Sequence, residues 1–364
     1  MSVVKSVILS LLFLFSCFSL QAQYLFRGRV LDESTREPVP EAYVYLDGTS
    51  IYTTTDKDGR FELETANFIL NASLVISHVS YESESIKDPF NNKIPEEIYI
   101  RVRTMREIIV HPVSDREKAN MLSAFKREFL GTTPSGNSCK ILNEDELSFS
   151  FDDVTKTLRV FTSAPLIIEN SYLGYRVTYD LQQFYAIFPY SLSMTATLSF
   201  FEGLSWIVET NNSARIRRRR DVQYENSREF FMRNLANNTL SAAKITLYNN
   251  PRPQPIEKID DYFNISEGEG HIKTISIRPG TDIDTGENDF FPVLNILSRE
   301  DASKIYGVIE VLHNRNSSSI IFVAPDIQVD VYGNASAGVF FNGHLGQQRA
   351  GNLLPINYGY DDGD

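Results

Sequence analysis

Histidines that could hold a catalytic metal are few and far apart in this sequence. A zinc peptidase needs a His-x-x-Glu pair and a further histidine, which together leave one coordination position open. None of the five histidines is followed three residues later by glutamate, and no His-Glu-x-x-His pattern occurs. They are His78, His111, His271, His313 and His344. The sequence therefore argues against metallopeptidase activity, and we expect no bound metal or cofactor.

Sequence motifs that would identify a catalytic nucleophile are also scarce. The segment Gly203-Leu204-Ser205-Trp206 begins like the Gly-x-Ser-x-Gly elbow of hydrolases but lacks the closing glycine. Phosphate-binding loops and dinucleotide-binding glycine turns are absent. Cys139 could act as a thiol nucleophile, but a small buried apolar side chain is the preferred interpretation. Paired carboxylates come together only in the folded chain, so a glycan-directed hydrolase stays open as an alternative.

Charged side chains are concentrated at two places. Arginine fills positions 215 to 220 except for Ile216, and we interpret this run as a solvated loop or edge strand that pairs with the protein's own acids. Contact with anionic lipid or phosphate is the alternative. That contact would use Arg215, Arg217, Arg218, Arg219 and Arg220. The second place is an acidic segment whose spacing does not fit an EF-hand, so a solvated turn is favoured over calcium. It contains Asp282, Asp284, Glu287 and Asp289.

The first residues have the composition of a secretory leader. Lys5 supplies a basic start, an apolar run extends from Val7 to Phe18, and cleavage is predicted after Ala22. The run is shorter than the ~20 residues of a membrane helix, and no later segment is long and apolar enough to be one. Lipidation of Cys17 is the alternative. We therefore expect an exported protein, periplasmic or associated with the outer membrane.

Two further consequences follow from export and composition. Removal of the leader leaves Cys139 as the one remaining cysteine, so a disulfide within the chain is not expected. The formal net charge of −12 argues against nucleic acid as a partner.

Short alternating strands and defined turns follow the leader. Apolar residues recur at every second position in three runs, which is typical of half-buried antiparallel strands. These residues include Phe26, Val30, Ala42, Val44, Leu46, Phe61 and Leu63. Asp56-Lys57-Asp58-Gly59 predicts a turn in which the Asx side chains bond the local backbone and Gly59 takes a positive φ. Further alternation up to residue 103 predicts six or seven strands and a small antiparallel sandwich.

Four motifs in this unit carry a family resemblance. They are Gly28-Arg29-Val30-Leu31-Asp32, Pro38-Val39-Pro40-Glu41-Ala42, Asp47-Gly48-Thr49 and Thr55-Asp56-Lys57-Asp58-Gly59-Arg60-Phe61. In this order they resemble the carboxypeptidase-like regulatory domain of Gram-negative envelope proteins. The resemblance implies a non-catalytic, transthyretin-like (prealbumin-like) sandwich of seven strands over residues 23–103. Glu41 departs from the pattern, because the family most often has glycine there.

The sequence of residues 115–364 predicts a β-rich region with two short helices. We expect this region to form one or two subdomains. The first helix, Asp115 to Leu130, has Ser114 as its cap and Gly131 as its stop. The second begins after Ser227 and uses Phe230, Phe231 and Leu235 as apolar contacts. Strands are predicted at 147–151, 157–162, 166–169, 172–181, 184–188, 272–277, 307–312, 320–323 and 327–331. Stretches such as Cys139-Lys140-Ile141-Leu142-Asn143, Pro165 to Asn170 and Leu173 to Leu181 resemble a C-terminal region that one set of these domain proteins shares. That resemblance implies no function.

Residues 104–114 predict a strand-like linker. Its segment 106–110 resembles the one that follows this domain in TonB-dependent uptake receptors. The remaining residues are too few for a receptor barrel of upwards of twenty ~10-residue strands. Docking through Ile108, Ile109 and Val110 by addition of a strand to a partner's sheet would still allow an accessory role in uptake.

The sequence therefore predicts a mainly β, non-catalytic binding or scaffold protein of the cell envelope, with an envelope protein or a glycan as its partner. The alternatives are a glycan hydrolase in the C-terminal region and an accessory to uptake.

Overall fold

The computed structural model describes residues 24–103, 114–249, 254–278 and 305–360, and within these ranges the fold is mainly β. The strands of the first part are β1 Tyr24–Asp32, β2 Tyr43–Leu46, β3 Tyr52–Thr54, β4 Arg60–Thr65, β5 Ser73–Ser77, β6 Glu84–Lys87 and β7 Glu97–Ile100. The next are β8 Cys139–Ile141, β9 Leu147–Asp152, β10 Thr157–Thr162, β11 Leu166–Asn170, β12 Tyr175–Ile187 and β13 Leu198–Glu209. The last are β14 Thr246–Asn249, β15 Phe263–Glu267, β16 Lys273–Ile277, β17 Gly307–His313, β18 Asn316–Phe322, β19 Asp326–Val329 and β20 Val339–Phe341. The helices are α1 Asp115–Leu130, α2 Ala214–Glu225 and α3 Arg228–Ala236.

The first seven strands form a β-sandwich, as the alternation predicts. One sheet has the order β4-β1-β7 and the other β3-β2-β5-β6, and side chains such as Val30, Val44 and Leu74 fill the space between them. The expectation of an entirely antiparallel sandwich is wrong for one pair, because β7 runs parallel to β1. A parallel pair needs a long crossover, and here strands β2 to β6 provide it.

The predicted turn between β3 and β4 is confirmed in detail. A carboxylate oxygen of Asp56 accepts hydrogen bonds from the backbone N–H groups of Asp58 at 2.9 Å and Arg60 at 2.8 Å. Gly59 has a φ of 73°, and a Cβ placed on it would lie 2.4 Å from the carbonyl oxygen of Val30. Only glycine fits this position, because the backbone of β1 passes so close.

The second part is a six-stranded sheet, β8 to β13, covered by α1. Helix α1 is confirmed with its cap: the Ser114 hydroxyl accepts from the N–H of Glu117, and the Glu117 carboxylate accepts from the N–H of Ser114. Phe125 and Phe129 stack with ring centroids 5.0 Å apart and pack on the sheet. The two strands predicted between 172 and 188 are one strand, β12, with an irregularity at position 182.

The third part contains two small sheets, β14-β17-β18-β20 and β15-β16-β19, whose apolar faces enclose a core with α3. Helix α3 is the predicted second helix. The Ser227 hydroxyl caps it by accepting from the N–H of Phe230 at 3.0 Å, and Phe231 and Leu235 are buried.

The arginine run folds differently from the expectation. Residues 215–220 lie in helix α2, so the loop or edge-strand interpretation is wrong, and so is the count of two helices. Arginine is a good helix former, and Ile216, Arg219 and Arg220 share one face at i, i+3 and i+4. The spacing of these three residues is helical. Because only Ile216 among them is apolar, the sequence shows no hydrophobic stripe that would indicate a helix.

All three guanidinium nitrogens of Arg220 donate hydrogen bonds within the protein. Its side chain is buried and donates to the carbonyl oxygens of Leu173 at 2.7 Å, Asn211 at 2.6 Å and Gly174 at 3.1 Å. It also pairs with the Glu209 carboxylate. The guanidinium carbon lies 3.9 Å from the centre of the Tyr175 ring. Arg220 thus fixes the start of β12 to the end of β13.

Replacement of Arg220 by methionine should lower the free energy of unfolding by about 3–5 kcal/mol, because three carbonyls and a carboxylate lose their donor. Arg218→Met, on the exposed face of the same helix, is the matched control and should change stability by less than about 0.5 kcal/mol. Urea unfolding of the full chain measures both. Equal effects of the two substitutions would show that Arg220 does not have this role.

Candidate functional site

The N-terminal sandwich is joined to the second part of the chain by backbone contacts at β13. The N–H of Gly48 donates to the carbonyl of Ser205 at 2.7 Å, and the N–H of Ile207 donates to the carbonyl of Thr49 at 3.0 Å. The Asp47 carboxylate accepts from the N–H of Ser205 at 2.7 Å. We call this contact the junction.

Trp206 lies at the centre of the junction and carries an aromatic cluster. Its ring centroid is 4.6 Å from that of Tyr43, 4.8 Å from that of Tyr52 and 6.0 Å from that of Tyr45. Trp206 is only 8% exposed, whereas Tyr43 and Tyr52 are 40% and 42% exposed. The tryptophan therefore supports two tyrosine rings that remain open to solvent.

An open groove of about 390 Å³ adjoins the exposed Tyr43 ring, and we call it the Tyr43 groove. Its lining residues are Glu41, Tyr43, Thr54, His78 and Val79. The carboxylate accepts hydrogen bonds, the threonine hydroxyl can do both, and the ring and valine supply apolar surface. The groove thus places a flat aromatic surface beside several hydrogen-bonding groups.

The imidazole of His78 is held in one orientation. Its Nδ1 accepts from the backbone N–H of Ser80 at 3.1 Å, which leaves the proton of the neutral ring on Nε2. Burial lowers the pKa of His78 below its ordinary value, and the nearby Glu41 carboxylate opposes this shift. At neutral pH the ring is therefore a neutral donor.

Glu41 occupies a backbone conformation that side chains rarely adopt. Its φ is 59°, in the left-handed region, and its N–H donates to the carbonyl of Thr55 at 3.0 Å. The Thr55 hydroxyl fixes the same turn, because it accepts from the N–H of Ala42 at 2.8 Å and donates to the carbonyl of Val39 at 2.7 Å. The conformation explains why glycine suits this position and shows that Glu41 is held there under strain.

The Asp47 carboxylate is partly buried at the junction. Burial raises its pKa to about 6, although hydrogen bonds from the backbone N–H groups of Ser205 and Gly48 favour the ionised form. Removal of water from the carboxylate is therefore the larger effect.

The predicted anion contacts are only partly available. Arg215, Arg217 and Arg218 are exposed on α2, whereas the Arg219 guanidinium lies 4.1 Å from the centre of the Tyr172 ring. Arg220 is buried and cannot meet an external anion, so its inclusion in that set is wrong. The other four stay a prediction. Ile108, Ile109 and Val110, the leader with Cys17, and the acidic segment from Asp282 to Asp289 lie outside the described residues.

Two of the candidate catalytic features, a reactive cysteine and a metal-ligand cluster, can be compared with the described ranges. Burial raises the pKa of the Cys139 thiol to about 12, so the sulfur is protonated at neutral pH and is not an activated thiolate. Its Sγ lies 3.4 Å from the carbonyl oxygen of Ser135. Within residues 24–103, 114–249, 254–278 and 305–360, no three His, Cys, Asp or Glu side chains gather as metal ligands.

The residues of the Tyr43 groove could be found only in part from the sequence. Tyr43 and Tyr52 point outward from strands whose other face forms the core, and this alternation places them at the surface. The position of Trp206 against them was missed because β13 was not predicted. Seven of the twelve residues in segment 198–209 are apolar or aromatic, and this enrichment is the signal that could have identified a strand.

The first part of the chain is a seven-stranded β-sandwich. Residues 26–110 match the family described as the CarboxypepD_reg-like domain, which confirms the resemblance seen in the four motifs. The regulatory-like domain is itself non-catalytic. No curated protein matches the chain.

None of the helices in the described ranges has the length and apolar character needed to cross a membrane.

Substitution of Asp47 by asparagine tests the buried charge at the junction. The folded-state pKa of about 6 exceeds the ordinary value, so Asp47 contributes stability that is complete below about pH 4 and is lost as pH rises through about 6. The free energy of unfolding of D47N, relative to the unchanged protein, should therefore rise by about 1–2 kcal/mol between about pH 4.5 and about pH 7.5.

Urea unfolding at the two pH values measures this difference. Asp58→Asn, in the exposed turn before β4, is the matched control. Its free energy of unfolding, relative to the unchanged protein, should be the same at both pH values. A D47N effect that does not vary with pH would contradict the assignment.

Proposed function

We propose that this chain is an exported, non-catalytic binding protein of the cell envelope, and that its N-terminal sandwich binds a neutral glycan in the Tyr43 groove. The observation that carries the proposal is Glu41, whose side chain lines the groove while its backbone is held in the left-handed region. A residue held in an unfavourable backbone conformation beside a surface depression points to a role for its side chain.

The chemistry of the groove fits a sugar. The exposed Tyr43 ring in the groove offers a flat apolar surface for the C–H groups of a sugar ring. The Tyr52 ring lies beside the groove, with its centroid 6.4 Å from that of Tyr43, and Trp206 packs against both rings. The Glu41 carboxylate, the Thr54 hydroxyl and the His78 Nε2–H are positioned for hydroxyl groups at the ring edge. A few polar groups around an apolar surface are what fixes the orientation of a small ligand.

Charge favours a neutral sugar over an acidic one. The one charged side chain of the groove lining is Glu41, since burial keeps His78 neutral at pH 7. The whole chain carries a formal charge of −12. An acidic sugar would meet repulsion at both levels, so we expect neutral, N-acetylated or unmodified oligosaccharides.

Trp206 provides a direct measurement, because it is the only tryptophan in the sequence. Titration with chitohexaose or maltohexaose should change its fluorescence in a saturable manner. Tyr43→Ala should weaken the affinity by about five- to tenfold, since one stacking surface is lost. Tyr190→Ala removes a tyrosine that is 76% exposed outside the groove and should have no effect. If neither sugar alters the emission or shows heat of binding by calorimetry, the proposal fails.

Glu41→Gly should separate stability from binding. Glycine relieves the left-handed backbone, so the free energy of unfolding should rise by about 0.5–1 kcal/mol. The same change removes the carboxylate, so affinity for the oligosaccharide should fall. Lys244→Gly, at a φ of 57° in the turn before β14, relieves a similar strain and should leave binding unchanged. A Glu41→Gly variant that binds the sugar as well as the unchanged protein would remove the basis of the proposal.

Incubation with the same oligosaccharides distinguishes binding from hydrolysis. We expect the sugar to be recovered intact by mass spectrometry. Release of shorter products that depends on the protein would support the hydrolase alternative.

A further inference from the structure

A cavity of about 240 Å³ lies where all parts of the chain meet, and we call it the central cavity. Gly48 of the sandwich, Phe201 of β13, the start of α3 and the segment 348–356 contribute to its wall. It is separate from the Tyr43 groove, with which it shares no lining residue. Its size suits a small ligand, since pockets for drug-sized molecules begin at about 300 Å³.

Arg349 lines the central cavity with a guanidinium that lacks a partner in the described part of the chain. No carboxylate of these residues lies within 4.0 Å of it, and it donates no side-chain hydrogen bond to them. The stem of Arg349 packs against Gly131, where an added Cβ would lie 3.1 Å from its Cβ and Cγ. Arg220, in comparison, has four protein acceptors. A guanidinium has five donors in a fixed fork that fits a carboxylate, so Arg349 is free to bind one.

Burial affects this guanidinium as it would any cation. It lowers the pKa of Arg349, and the Glu128 carboxylate opposes that shift from a distance. Glu128 itself is already engaged, because it accepts from Arg127 at 2.9 Å and from the N–H of Ala196 at 3.1 Å. The fold thus supplies no direct counter-charge for Arg349, and a bound anion would.

Two further charged side chains on the cavity wall determine which ligand charge is favoured. Arg228, at the first position of α3, lines the cavity and donates to the side-chain carbonyl of Gln348 at 3.3 Å. Glu229 lines the same cavity. Two arginines and one glutamate leave one uncompensated positive charge, which favours a monoanion over a phosphate dianion.

The rest of the wall is mixed, and part of it is apolar. Phe201, Ile207 and Leu354 lie on the cavity surface, so a ligand with a short hydrocarbon body would bury it there. We propose that the central cavity binds a small aliphatic monocarboxylate, whose carboxylate meets Arg349 and whose apolar body contacts Phe201 and Leu354.

Calorimetry of the full chain with three probes tests both halves of this ligand. Octanoate should bind. Octanol, which lacks the charge, and inorganic phosphate, which lacks the apolar body, should bind at least about tenfold more weakly. Octanoate should also raise the midpoint of thermal unfolding, because it stabilises the folded state. Equal binding of octanoate and octanol, or no binding of octanoate, would overturn the proposal.

Substitutions locate the site. Arg349→Gln should weaken octanoate binding by about ten- to a hundredfold, whereas Arg215→Gln, on the exposed face of α2, should leave it unchanged. Arg228→Gln alters an exposed side chain and should weaken binding by a smaller factor, so it tests the site even if Arg349→Gln does not fold. Unchanged affinity in a folded Arg349→Gln or Arg228→Gln variant would show that octanoate binds elsewhere. Glu41→Gly should not change octanoate binding, which separates this site from the Tyr43 groove.

Discussion

The backbone hydrogen bonds between Gly48–Thr49 and Ser205–Ile207 are the contact on which the other features depend. They place Trp206 beneath Tyr43 and Tyr52, and so keep two aromatic rings at the surface instead of in a core. They also close one side of the central cavity, where Gly48 and Ser205 are both part of the wall. The sandwich is therefore connected to the second part of the chain by hydrogen bonds as well as by the polypeptide. Its position relative to β13 is set by direct bonds.

Arg220 and Arg349 differ in how the protein compensates for removing a guanidinium from water. Arg220 has its donors matched by three carbonyls and a carboxylate, and it lies over Tyr175, so it acts as a structural cross-link. Arg349 is partly buried, which lowers its pKa, and it has no comparable set of acceptors in the described part of the chain. Proteins seldom leave such a group unmatched, because desolvation of a charge is costly. The contrast separates an arginine that builds the fold from one that is available to a ligand.

The sequence predicted what depends on local pattern. The sandwich strands, the Asp56 to Gly59 turn, α1 and α3 follow from alternation, capping residues and turn chemistry, all of which lie within a few neighbouring residues. It did not predict α2, since charged residues replace the apolar stripe that usually reveals a helix. The aromatic cluster and the central cavity join residues more than a hundred positions apart. No local pattern indicates such pairs. Of the groove residues, the sequence marked Tyr43 through strand alternation and Glu41 through its departure from the family pattern.

The core of the sandwich is completed by residues from the far end of the chain. Tyr332 is buried within it, and Val331, Ile356 and Tyr360 pack against it. The N–H of Leu70 also depends on the Asp330 carboxylate, at 2.9 Å. The sandwich thus lacks part of its interior until residues 330–360 have also been made. Contacts of such large sequence separation slow folding, so the sandwich should finish late although it is synthesised early.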